Sequence, residues 1–109
     1  MDKLDKIFHM QKDLASFISS ARYPKTKEGR VSVLCTAITH EALELQRLTN
    51  WKWWKREVYF DENSAREELI DIWHFVVQAS IELDISPQAV LDEYLKKNKV
   101  NRKRHQDGY

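Results

Sequence analysis

At 109 residues the chain has the length of a single domain near the small end of the usual range. Two glycines and two prolines are too few for a turn-rich all-β fold, and a net charge of +1 excludes a whole-molecule attraction to polyanions. The single cysteine, Cys35, has no intrachain partner, and the opening Met1-Asp2-Lys3-Leu4-Asp5-Lys6 lacks the apolar core of a signal peptide, so a cytoplasmic protein without a membrane partner is expected.

The patterning predicts four helices. Leu4, Ile7, Phe8, Gln11, Leu14, Ala15 and Ile18 share one stripe, which places a first helix from about Asp2 to Ala21. A polar loop from Tyr23 to Gly29 leads to a second helix from about Arg30 to Leu48, with Trp51, Trp53 and Trp54 just beyond. Ser64-Ala65-Arg66-Glu67 has the form of a capping box and announces a third helix that ends near Asp84. Ser86-Pro87 opens a fourth, with serine as N-cap and proline at the first helical position, reaching about Lys99. The expected organisation is one domain over residues 1–109, ending in a basic tail over about 101–109. From Leu69 to Ile85 the third helix is apolar nearly all round, so it is expected to be buried on more than one side, against its own chain and a second subunit. A homodimer or a dimer of dimers follows.

Acids interrupt these apolar faces. Leu34, Ile38, Leu45 and Leu48 lie on one stripe of the second helix, with Glu41 in its middle and Glu44 at its edge. The third helix carries Glu68 and Asp71, three apart, on the side of Ile72 and Phe75. Desolvating an unpaired carboxylate is costly, and two helices with i, i+3 acid pairs can aim four carboxylates into one cleft. Such a cluster needs cations, and all-oxygen ligation favours Mg²⁺ or Mn²⁺. Two solvated, salt-bridged helix faces would be the plainer reading of the same spacing. A di-iron bundle would need the carboxylate-x-x-His motif twice, and Asp71-x-x-His74 supplies it once.

The pattern Glu41-x-x-Glu44 followed by Glu68-x-x-Asp71 resembles the all-α NTP pyrophosphohydrolase superfamily, which includes MazG-like enzymes and dimeric dUTPases. Its dUTPase branch is the more similar, through Gln11-x-x-Leu14, Trp51-Lys52-Trp53-Trp54-Lys55, His74-Phe75, and the tail Lys97-Asn98 with Asn101, Arg104 and Gly108-Tyr109. The resemblance implies a compact, oligomeric four-helix bundle that hydrolyses dUTP to dUMP and pyrophosphate. It also implies Mg²⁺ held by Glu41, Glu44, Glu68 and Asp71, with Glu41 or Glu44 as general base. Lys52, Lys55 and Arg104 would meet phosphate oxygens, and Asn98, Asn101 and Tyr109 the nucleotide. Trp54 and Phe75 would pack on base or sugar, while Gln11 and His74 complete the nucleotide contacts.

Where the dUTPase branch usually carries a small amide or acid after the leucine of the first motif, this chain has Ala15. A broader or different-base (deoxy)nucleotide pyrophosphatase of house-cleaning type is therefore the alternative substrate assignment. Outside enzymes, residues 96–104 hold six basic residues and no acid, which would suit a nucleic-acid-binding module. Four acids around one cleft would repel a phosphate backbone, and a purely structural helical module would leave the carboxylates on the surface.

Overall fold

A computed structural model describes residues 1–18 and 20–108. Four helices account for its regular structure: α1, Lys3–Phe17; α2, Lys27–Arg47; α3, Glu62–Glu82; and α4, Pro87–Gln106. The expected all-α class holds. None of the helices is long and apolar enough to cross a membrane.

Local chemistry sets the helix ends. At the start of α1, Asp2 and Asp5 cap each other's backbone amides. Thr26 accepts from the Gly29 amide at 3.0 Å and starts α2 ahead of the anticipated Arg30. The start of α3 differs from the expected box at Ser64. Asp61 is the cap instead: its Oδ1 accepts from the amides of Asn63 and Ser64, and the Ser64 hydroxyl donates to its Oδ2 at 2.8 Å. A carboxylate that takes three donors satisfies more of the open helix end than one serine hydroxyl can. Those bonds, the Ser64 hydroxyl foremost, hold the Asp61 carboxyl below its ordinary value.

Beyond Glu82, the amides of Asp84 and Ile85 bond back to the carbonyls of Ile81 and Ser80, with Asp84 left-handed at φ 58°. That is the double closure of a Schellman end, with aspartate where glycine is commonest. Lys27 pairs with Asp84 across to the start of α2, so α2 and α3 run antiparallel. Ser86 and Pro87 then open α4 as anticipated, the serine accepting from the Ala89 amide. The helix does not stop at Lys99. It runs through the anticipated tail to Gln106, because no breaker precedes Gly108 and Lys103, Arg104 and His105 complement the negative helix end.

At the centre lies α3, packed against α2 along one flank and α1 along another, while α4 approaches only α1. Phe8, Leu34, Ala65 and Val77 form the buried apolar core. The remaining flank of α3 is left open by the described residues: Ile70 is 54% and Trp73 50% exposed, facing Met10 of α1, itself 60% exposed. Together with Ile7, Leu14 and Val77 they line an apolar hollow of about 500 Å³. The radius of gyration is 17.3 Å, against about 13 Å for a closely packed chain of this length.

Candidate active site

The second helix presents Glu41 and Glu44 one turn apart on the flank that meets α3, and the antiparallel pairing sets Glu68 opposite them. All three are half-buried, and one carboxylate oxygen of each lies within 4.8 Å of the others. Oε2 of Glu41 and Oε2 of Glu68 are buried without a hydrogen-bond partner. Two buried acceptors left open on neighbouring carboxylates are a cost that a cation removes. Desolvation raises the Glu68 carboxyl above its ordinary value, and the negative charges of Glu44 and Asp71, with the adjoining Glu41 carboxyl, push it the same way. Glu44 is steadied from the solvent side by His40, whose Nε2 lies 3.2 Å from its Oε1. A hard divalent cation fits this donor set: several carboxylate oxygens, two of them unengaged.

Asp71 is exposed and lies outside the tight group of three, but it shares a cavity with Glu41. That cavity, about 510 Å³, lies within the usual range for small-molecule sites. Its walls are Gln11, Leu14 and Ala15 from α1, Tyr23 from the following loop, Leu34 and Glu41 from α2, and Asp71, His74, Phe75 and Gln78 from α3. His74 turns Nδ1 toward the Ile70 carbonyl at 3.0 Å, which assigns the proton to Nδ1 and leaves Nε2 as the outward nitrogen.

A polar chain crosses the far end of the cavity. Gln11 Nε2 donates to Gln78 Oε1 at 3.1 Å, and Gln78 Nε2 donates to Glu82 Oε1 at 3.0 Å. The Tyr23 hydroxyl donates to the same oxygen at 3.1 Å, and Arg30 reaches Glu82 Oε2 at 3.5 Å. Burial, followed by the hydrogen bond and charge of Glu82, raises the Tyr23 phenol above its ordinary value. Arg30 also stacks over the Tyr23 ring, 5.2 Å from its centroid, and donates to the Pro24 carbonyl. Sequence reasoning misses Gln78, Glu82, Tyr23 and Arg30. The available signal is an amide and an acid, four apart, inside the apolar run of the third helix.

The other nucleotide-contact candidates do not line this cavity within the single chain. Lys52, Trp54 and Lys55 lie on the exposed α2–α3 loop, where Trp53 and Trp54 meet edge to face at 4.7 Å and Lys52 sits over Trp51. Asn50 braces that loop through two bonds to the Val58 backbone. Asn98, Asn101 and Arg104 are on the exposed length of α4, and Tyr109 lies outside the described residues.

No curated protein and no solved structure matches the chain. The family model for dUTPase matches residues 3–90, a span that holds every residue lining the cavity. An all-α chain that carries this match over most of its length belongs to the dUTPase family.

Proposed function

We propose that the protein is a Mg²⁺-dependent nucleoside-triphosphate pyrophosphohydrolase that converts dUTP to dUMP and pyrophosphate. The observation that carries this reading is the pair of unpartnered buried oxygens on Glu41 and Glu68, the first of these residues lining a cavity that the amides of Gln11 and Gln78 also line. Glu41, Glu44, Glu68 and Asp71 would hold the metal. When bound, Mg²⁺ neutralises phosphate charge and lowers the pKa of water. Glu41 is assigned to accept the proton of the attacking water through the carboxylate oxygen that the metal leaves free. Glu44, held by His40, is the other candidate for that role.

Phe75 packs on the base or sugar, Gln11 meets the base edge, and His74 offers Nε2 to the same space. Lys52, Lys55 and Arg104 are assigned to phosphate oxygens, and Trp54, Asn98, Asn101 and Tyr109 to further nucleotide contacts. Those described among them lie outside the cavity wall, so this part of the proposal requires closure or assembly to bring them to the substrate. A homodimer or dimer of dimers is proposed on the uncovered flank of α3.

Ala15 favours a second reading of the substrate range. It lines the cavity beside Gln11 and adds no polar group there, which suits a pyrophosphatase tolerant of other pyrimidine or altered bases. Pyrophosphate release from a panel of (deoxy)nucleotides tests both readings. Turnover of dUTP in Mg²⁺ and none in EDTA is expected, dominance of another base selects the second reading, and no turnover on the panel refutes both.

A further inference from the structure

An amide side chain carries an acceptor on one arm and donors on the other, and a half-turn about its last bond exchanges them. Pyrimidine edges differ by that same exchange. At ring positions 4 and 3, uracil presents acceptor then donor (O4, N3–H), whereas cytosine presents donor then acceptor (the 4-amino group, N3). A glutamine free to turn over can therefore serve either base. One held in a single orientation serves one of them better.

In this cavity the orientation of Gln11 is determined from outside. An ionised carboxylate only accepts hydrogen bonds, so Glu82 requires the nitrogen arm of Gln78 to face it. The oxygen arm of Gln78 then faces α1, and Gln11 must meet it with its own nitrogen. Glu82 cannot readily reverse roles, since the Tyr23 hydroxyl and the Arg30 guanidinium donate to the same carboxylate. Gln78 is buried, so water does not compete easily for either arm. Gln11 is left with Oε1 and its second Nε2 hydrogen for a ligand.

We propose that Glu82, acting through Gln78, fixes the orientation of the Gln11 amide and thereby sets which pyrimidine edge the cavity accepts. The inference rests on the nucleotide reading of the cavity given above. It makes Glu82 and Gln78 positioning residues for base selection, two and one hydrogen bonds removed from the group that meets the base.

The test is kcat/KM for dUTP and dCTP, with Mg²⁺, on the wild-type protein and on E82Q, Q78L and Y23F. E82Q keeps the shape but replaces an acceptor-only group by one that can also donate, so both glutamines are free to turn over. The ratio between the two nucleotides should fall by on the order of tenfold or more, the discrimination that an oriented amide–base pair carries. The non-preferred nucleotide should be turned over better in absolute terms, which a merely structural defect would not produce. Q78L releases Gln11 without touching Glu82 and should lower the ratio likewise, including where E82Q folds poorly. Y23F removes one donor to Glu82 but leaves the carboxylate acceptor-only, and should keep the ratio within about twofold. An unchanged ratio in folded E82Q or Q78L overturns the proposal, as does a wild-type protein that turns over both nucleotides equally. Absence of turnover on any nucleotide would overturn the functional reading as well, a result distinct from the other two.

Discussion

Diluting this protein should lower its melting temperature, because a single chain leaves too much surface wet. The chain exposes 9335 Å², whereas a closely packed monomer of its 13.0 kDa exposes about 6,300 Å², an excess of roughly 3,000 Å². A standard interface covers only about 800 Å² per partner, so an assembly that hides most of the excess falls in the obligate class. Folding and association are then one equilibrium. For a homodimer, each tenfold dilution removes about 1.4 kcal/mol from the unfolding free energy, and two chains of this length carry an unfolding entropy of about 0.46 kcal/mol/K. Tm should therefore drop by about 3 °C per decade, and by about 5 °C for a dimer of dimers. Calorimetry over two decades of concentration reads this directly. I70D places a charge on the uncovered flank of α3 and should dissociate the assembly, whereas on a true monomer that exposed site would tolerate it within about 0.5 kcal/mol. A concentration-independent Tm, monomer mass in sedimentation and a neutral I70D would together refute the reasoning.

Other outcomes follow from single side chains. The Glu68 carboxyl is raised above its ordinary 4.5, so its contribution to metal-free stability is present below 4.5 and lost as pH rises through the raised value. E68Q should remove that loss and melt higher than wild type at neutral pH without metal, while abolishing pyrophosphate release; parallel Tm–pH curves for the two proteins would contradict it. Asp61 shifts the opposite way, so its contribution is present above 3.8 and lost as pH falls through the lowered value. D61A should melt below wild type at neutral pH, with the gap closing on acidification; a pH-independent gap would count against Asp61 as the charged cap. A Cβ at Gly29 would stand 2.9 Å from Thr26 Oγ1 and 3.1 Å from Pro24 Cβ. G29A should push the cap aside and destabilise by about 1 kcal/mol in denaturant melts, despite alanine's better helix propensity; a stabilised G29A would show that the cap can shift freely.

Helix number and type were legible because 3.6-residue periodicity is a local signal that survives without knowledge of partners. The ends were less so. At α3 two caps, Asp61 and Ser64, compete three residues apart, and the winner depends on how many donors each can collect. In α4 a basic run without apolar residues reads as a tail, yet nothing in it breaks a helix begun at Pro87. The acids of α2 and α3 were conspicuous because each offends an apolar face. Their convergence depends on the α2–α3 register, which the Lys27–Asp84 and Arg30–Glu82 pairs at the other end of the two helices help to set.

That same register explains why the amide end of the cavity stayed hidden. Glu68, Asp71, Phe75, Gln78 and Glu82 follow one another on α3 at alternating spacings of three and four, which is a single stripe along the helix. Glu68 and Asp71 advertise themselves as an acid pair. Gln78 and Glu82 look like two polar exceptions until α1 supplies Gln11 and the loop supplies Tyr23, contacts 67 and 59 residues away in the chain. A rise of 1.5 Å per residue places Gln78 about 15 Å along the axis from Glu68. One helix thus sets the spacing between the end that would hold phosphates and the end that would hold the base, while its neighbours choose the chemistry at each. Substitutions at Glu68 and Glu82 should separate accordingly. The first should act on turnover of every nucleotide alike, and the second on the ratio between nucleotides. Equal effects of E82Q on dUTP and dCTP would dissolve that division of the stripe.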